Sequence, residues 1–175
     1  MIFPTNFLWG ASTSAFQVEG GYNEGGKGVA TTDLGARRPG IADNKVAADH
    51  YHHWKEDVDL MAELGLKVYR MGFAWSRIMP DATCTPNPEG LAFYDRLIDY
   101  LLEKGIEPLV TLYHFECPQA LVDAFGGWLD RKMIDAYLKY ATEVGEISLR
   151  REPGVLTMYA VREKENPCRI TILET

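Results

Sequence analysis

Cysteine is scarce in this chain and basic charge is in the minority. The three cysteines, Cys84, Cys117 and Cys168, stand far apart and form no Cys-x-x-Cys pair. That pattern excludes a disulfide framework and reads as reduced thiols in a cytoplasmic protein. Lys and Arg number 18 against 25 Asp and Glu, a net charge of −7. Such a balance argues against a nucleic-acid partner held by a basic surface and leaves neutral or small-molecule substrates open. No apolar run approaches ~18–20 residues, so no membrane-spanning helix and no membrane partner are expected. A basic start followed by an apolar stretch, the mark of a signal peptide, is also missing. What remains is an ordinary soluble balance, 46% apolar and 25% charged, in 175 residues, enough for one domain.

The apolar pattern is that of alternating helices and strands. Ala47, Tyr51, Trp54, Val58 and Met61 recur at helical steps and place a helix over residues 47–64, stopped by Gly65. An apolar strand over 66–73 follows. The same order repeats: a helix carrying Leu91, Tyr94, Ile98 and Leu101, a stop at Gly105, and a nearly continuous apolar strand over 106–113. A third stripe, Ile134, Tyr137 or Leu138, and Ala141, begins after Gly126-Gly127-Trp128, where Trp128 is expected to pack the helix entry. Strands without polar alternation are expected to be buried on both faces of a parallel sheet. The fold class is therefore α/β, built from up to three βα units.

Several tempting signals have plain readings. His50, His52 and His53 beside Trp54 lack a His-Glu-x-x-His arrangement and read as a surface helix face rather than a metal site. The glycine-rich run from Gly20 to Gly28 lacks the Ser or Thr that a phosphate-binding loop needs after Lys27, and reads as a mobile loop. No cofactor is expected. Arg70 lies within the second strand, where an unpaired guanidinium would be expensive to bury. It is either half of a structural ion pair, with a carboxylate partner, or a substrate-site residue.

Three stretches carry more information. They are Phe7-Leu8-Trp9-Gly10-Ala11-Ser12-Thr13-Ser14-Ala15-Phe16-Gln17-Val18-Glu19-Gly20, Tyr69-Arg70-Met71-Gly72-Phe73-Ala74-Trp75-Ser76-Arg77-Ile78, and Leu112-Tyr113-His114-Phe115-Glu116-Cys117-Pro118. In this order and spacing they resemble the N-terminal third of family 1 glycoside hydrolases, the β-glucosidases and 6-phospho-β-glucosidases. The resemblance implies an incomplete (β/α)8 TIM barrel over residues 1–142, since a complete barrel takes about 250 residues. It implies that Gln17 and His114 hydrogen-bond sugar hydroxyls, a task suited to groups that both donate and accept. It places Arg70 against the catalytic nucleophile, as a supporting residue. Phe115 stands where the family often has Trp beside the sugar pocket; read from the sequence alone it is equally a core aromatic. His114-Phe115-Glu116-x-Pro leans toward the phospho-glucosidase branch, and Glu116 is a poor candidate for a general acid.

The family's Thr-x-Asn-Glu-Pro, which carries the acid/base, does not occur. Glu165-Asn166-Pro167 has the wrong order. From about residue 143 the chain instead resembles the central hairpin of antibiotic-biosynthesis-monooxygenase domains, through Glu152-Pro153-Gly154-Val155-Leu156-Thr157-Met158-Tyr159-Ala160-Val161 and Arg169-Ile170-Thr171-Ile172-Leu173-Glu174. Residues 143–175 are thus expected to form a foreign or divergent tail with a C-terminal β-hairpin turning at Asn166-Pro167. The plain alternative makes 155–161 the barrel's own fourth strand. The functional expectation is a portion of a retaining β-glycosidase acting on small-molecule glycosides, itself without catalytic residues. The alternatives are a non-catalytic sugar- or partner-binding remnant and a monooxygenase-like module in the tail.

Overall fold

The computed structural model describes residues 3–35, 39–41, 43–151, 158–162 and 170–174, with side chains up to residue 146. Strand β1 (Gly10–Ser12) leads through α1 (Ala15–Val18) and a glycine-rich loop to α2 (His50–Glu63), which returns the chain to β2 (Val68–Gly72). The short α3 (Trp75–Ile78) and the long α4 (Pro88–Glu103) precede β3 (Glu107–Thr111), and α5 (Gln119–Phe125) and α6 (Lys132–Arg151) follow it. The three strands form one parallel sheet in the order β1-β2-β3. Gly10, Val68 and Glu107 stand in one row across it, and Ser12, Arg70 and Leu109 two rows further on.

Local chemistry sets most helix ends. Asn87 caps α4 by accepting the Glu89 N–H, Pro88 supplies a preset φ at the first helical position, and Glu89 places an acid in the first turn. Gly105 and Gly65, with φ of 71° and 76°, end α4 and α2 in the left-handed conformation. Helix α2 starts at His50, three residues later than the apolar stripe predicts. Ala47 and Asp49 both have positive φ, 53° and 57°, and so belong to a turn. That turn is pressed against Gly20, where a β-carbon would lie 2.2 Å from the Val46 carbonyl oxygen.

Helix α6 is also rotated from expectation. Its buried side chains are Met133, Ala136, Tyr140 and Val144, one position off the predicted stripe. The cause is Trp75, wholly buried, which stacks on Tyr140 at 5.2 Å and 25°. The Tyr140 hydroxyl donates to the Leu112 carbonyl at 2.7 Å, locking that face onto the end of β3. Tyr113, Trp128 and Tyr137 surround the same indole, each such ring pair being worth about 0.5–1.5 kcal/mol beyond area burial. Trp128 therefore does pack the entry to α6, and its indole N–H donates to the Tyr113 hydroxyl.

The sheet departs from the expectation of two buried faces. Tyr69 and Met71 of β2 and Pro108 of β3 are buried in the core shared with Val58, Leu97, Leu101 and Ile106. On the opposite face Ser12 and Leu109 are exposed, and Val68 and Arg70 only half-buried. Only at its carboxyl end is this second face covered, where Gly72 is buried beside Ala15 of α1. The apolar run of β3 is thus not a record of two-sided cover here, because Leu109 is 57% exposed.

β4 (Met158–Arg162) and β5 (Ile170–Glu174) pair antiparallel with each other and, among the described residues, with no strand of the first sheet; the start of the 155–161 run lies outside the described residues. The Asn166-Pro167 turn expected between them, and Cys168, lie outside the described residues. Among the described residues no helix is long and apolar enough to cross a membrane.

An open sheet face with exposed Leu109, together with the exposed aromatic cluster Phe3, Phe7 and Trp9, predicts self-association. The purified chain should scatter light increasingly with concentration and unfold below about 65 °C, the upper end of the ordinary mesophile range. A monomer melting cooperatively above that temperature would show that the tail completes an independent domain.

Candidate functional site

The site is built around a buried charge pair that the sequence motifs contained but did not announce. Arg77 of α3 has no exposed surface, and its Nε–H donates to Glu19 Oε2 at 3.1 Å. The Tyr94 hydroxyl of α4 donates to the other oxygen of Glu19 at 2.6 Å and accepts the Ala74 N–H at 2.7 Å. Burial first, then the charge of Glu19, holds the Tyr94 hydroxyl well above its ordinary pKa of 10, so it stays a donor. The remaining guanidinium donors go to the carbonyls of Gly20, Gly21 and Glu24, and the Tyr51 ring lies 4.1 Å away. The glycine-rich loop is therefore not mobile, as its composition suggested. It is wrapped around a cation, and Asn87 adds a hydrogen bond to the Gly25 carbonyl. The available signal was Glu19, the one acid of the first motif, and Arg77, which with Arg70 is one of two bases in the second.

This clamp fixes α1, which carries Gln17 on its exposed side. The Gln17 N–H donates to the Ser14 carbonyl, and the Ser14 hydroxyl shares a hydrogen bond of 3.1 Å with Nδ1 of His114, just past β3. Gln17 and His114 are thus tied to the same residue at the carboxyl end of the sheet. Arg70 is joined to both segments: its carbonyl accepts the Thr13 N–H, and its Nε–H donates to Thr111 Oγ1 at 2.9 Å. Among the described residues no carboxylate pairs with it. The expected carboxylate partner is replaced by a threonine hydroxyl, which is sufficient because Arg70 is only half-buried on the open face.

Phe115 is 74% exposed with φ of 67°, so it is not a core aromatic. Its left-handed backbone turns the next residue inward. Glu116 is 3% exposed, accepts a hydrogen bond from Ser76 at 2.9 Å through Oε1, and leaves Oε2 without a partner among the described residues. Desolvation, then the charge of Glu19, pushes its carboxyl from 4.5 up to about 7, against the opposing pull of Lys27 and Ser76. The segment behind it is stitched to residues 29–31 by the Thr31 N–H to Cys117 carbonyl and Gln119 N–H to Val29 carbonyl bonds. Glu19 and Glu116 are both sequestered in the core and neither is presented to a ligand.

The histidines divide differently from the expected surface face. His50 is buried and bonds Asp57 at 2.6 Å, while His52 and His53 are exposed beside Asp49. Hydrogen bonds from Asp49 and then Glu24 raise the pKa of His52. Among the described residues no group of three or more His, Cys, Asp or Glu could hold a metal ion.

Residues 1–149 match the family described as "Glycosyl hydrolase family 1". The chain is 49% identical over 143 residues to "Beta-glucosidase 25" of Oryza sativa subsp. japonica, covering 79% of this chain and 28% of that one. It is 48% identical over 142 residues to "Aryl-phospho-beta-D-glucosidase BglC" of Bacillus subtilis (strain 168), covering 79% and 30%. Among solved structures, the family 1 β-glucosidase from Thermotoga maritima matches with a TM-score of 0.79 and 41% identity, over 85% of this chain and 34% of that one. The rice Os3BGlu6 β-glucosidase matches with a TM-score of 0.76 and 43% identity, over 85% and 31%. The chain thus spans less than a third of the length of these two curated relatives.

Two expectations follow from the buried groups. Arg77→Met leaves Glu19 buried without its cation and should cost about 3–5 kcal/mol in urea unfolding, with faster amide exchange at Gly20 and Gly21. Adding Glu19→Gln should recover part of that loss. Glu116 holds its proton more tightly in the folded state, so its contribution is full below pH 4.5 and is lost as pH rises through about 7. At 1.36 kcal/mol per unit the loss is about 3 kcal/mol at most. Glu116→Gln should flatten the stability profile between pH 5 and 8 and raise stability at the upper end. An unchanged slope would show that Glu116 titrates normally.

Proposed function

The chain belongs to glycosyl hydrolase family 1, and from that premise we propose that it is the N-terminal, sugar-binding portion of a retaining β-glycosidase acting on β-glucosides or their 6-phosphates. Gln17 and His114 bind sugar hydroxyls, the exposed Phe115 flanks the pocket, and Arg70 is the support that a nucleophile would rest against. The observation that carries this reading is the hydrogen-bonded link from Gln17 through Ser14 to His114 at the carboxyl end of the strands, where barrel enzymes place their sites. A retaining enzyme needs two carboxyl groups about 5–5.5 Å apart, one protonating the leaving oxygen and one attacking the anomeric carbon. Neither is assigned in these 175 residues: no Thr-x-Asn-Glu-Pro occurs, and Glu19 and Glu116 are engaged in the core.

A further reading concerns the tail. It takes residues 143–175 as a foreign or divergent segment joined near residue 142, although α6 itself runs across that point to Arg151. A non-catalytic sugar-binding role is the alternative for residues 1–142. The free, buried thiols of Cys84 and Cys117 suit a reducing compartment, and the cytoplasm is the location proposed.

The purified chain should not release p-nitrophenol from p-nitrophenyl β-glucoside or its 6-phosphate, because what survives loss of catalytic groups is residual at most. Turnover at about 1 s⁻¹ or more, in the ordinary range of enzymes, abolished by Glu→Gln replacement at one position, would overturn the proposed inactivity and identify the missing carboxylate.

A further inference from the structure

Ser14 stands immediately before α1, where a serine hydroxyl ordinarily accepts a backbone N–H from the first helical turn. Its backbone has the extended geometry of that position, φ −120° and ψ 132°, yet its side chain caps nothing. The hydroxyl turns instead to Nδ1 of His114, 3.1 Å away. Ser14 is only 6% exposed, so water competes little for that oxygen. Two aromatic rings confine the imidazole as well: Phe16 meets it edge-on at 6.3 Å and 86°, and Phe115 lies tilted at 5.5 Å. Nε2 makes no hydrogen bond among the described residues.

A neutral imidazole has one donor nitrogen and one acceptor nitrogen, and a serine hydroxyl can serve Nδ1 in either role, so the contact holds the ring in place whichever tautomer it carries. We propose that Ser14 is a positioning residue that fixes the ring orientation of His114, leaving Nε2 as the atom turned toward a sugar hydroxyl. This rests on the reading of His114 as a sugar-binding residue, but its central claim concerns the imidazole alone. The hydroxyl that could have capped α1 is committed to holding a ring 100 residues further along the chain. A sugar hydroxyl can likewise donate or accept, so what this contact needs from His114 is a fixed position of Nε2, and Ser14 supplies it.

The test uses the whole chain labelled with ¹⁵N in its four histidines, with the His114 signals identified from their loss in His114→Gln. Spectra are taken near pH 9, well above the ordinary imidazole pKa of about 6.5. Ser14→Ala should shift the two ring nitrogens of His114 while leaving the backbone amide spectrum and melting midpoint in place, and Ser14→Thr should restore the original positions. If the alanine variant does not fold, Ser14→Cys, of similar size and weak hydrogen-bonding power, gives the same readout. Identical His114 nitrogen shifts in the unchanged chain and in the alanine or cysteine variant overturn the proposal.

Titration with phenyl 1-thio-β-D-glucoside, which resists hydrolysis, then tests the site. Binding should perturb Nε2 of His114 and weaken by about fivefold in Ser14→Ala, the scale of one neutral hydrogen bond. If the His114 nitrogens respond to Ser14 as proposed but the thioglucoside moves no His114 signal in any variant, the positioning role stands and the sugar-site reading falls.

Discussion

The contact on which the rest of the described structure depends is the buried pair between Arg77 and Glu19. A guanidinium removed from water must have its donors satisfied in fixed directions, and this one reaches Glu19 and the carbonyls of Gly20, Gly21 and Glu24. Its backbone is held in turn: Asn87 donates to the Arg77 carbonyl, and a β-carbon on Gly90 would lie 2.1 Å from that same oxygen, so α4 can approach only because position 90 lacks one. One cation therefore ties together the end of α1, the glycine loop, α3 and α4. Buried ion pairs add little net stability over apolar packing of equal volume, because desolvation offsets most of the attraction. The value of this one lies in specification: only one arrangement of loop and helices satisfies all its donors.

The second constraint is the asymmetry of the sheet. Helices cover the face of Tyr69 and Met71, and the face of Ser12, Val68, Arg70 and Leu109 is left open. Arg70 illustrates the consequence. An arginine in the middle of a covered strand would demand a carboxylate, whereas a half-buried one is served by Thr111 and solvent. The carboxylate partner expected for Arg70 belongs instead to Arg77. Arg77, in an apolar helical turn, is the one fully enclosed and ion-paired, and Arg70, within a strand, is the more accessible.

Much of the α/β order was legible because it is written in short-range chemistry. Gly65 and Gly105 stop their helices, and the apolar runs that follow them become strands β2 and β3. What escaped was set by contacts distant in sequence. The start of α2 depends on how closely Val46 approaches Gly20, and the rotation of α6 depends on a tryptophan 65 positions before Tyr140. Neither contact leaves a trace in local periodicity. The glycine loop looked mobile for the same reason, since the cation that orders it lies in another motif. Of the proposed site, Gln17, Arg70 and His114 were named through motif resemblance, while Ser14, which is hydrogen-bonded to two of them, was not. A serine before a short helix reads as a cap, and only the geometry shows the hydroxyl turned elsewhere.

His114, Phe115 and Glu116 show how the end of β3 separates surface from core within three residues. In continued strand geometry alternate side chains share a face, so His114 and Glu116 would point the same way. The left-handed backbone at Phe115 breaks that alternation at a cost of about 1–2 kcal/mol. His114 stays half-buried against Ser14, Phe115 projects into solvent, and Glu116 turns into the core beneath Ser76. The strain is sustained because both flanking residues are anchored, His114 to the segment after β1 and Glu116 to the start of α3. Relaxing Phe115 would mean releasing one of them. A glycine there would relieve the backbone but would remove the exposed ring and widen the choice of conformations, so the same three residues could no longer hold an imidazole at the surface and a carboxyl in the core with one fixed geometry.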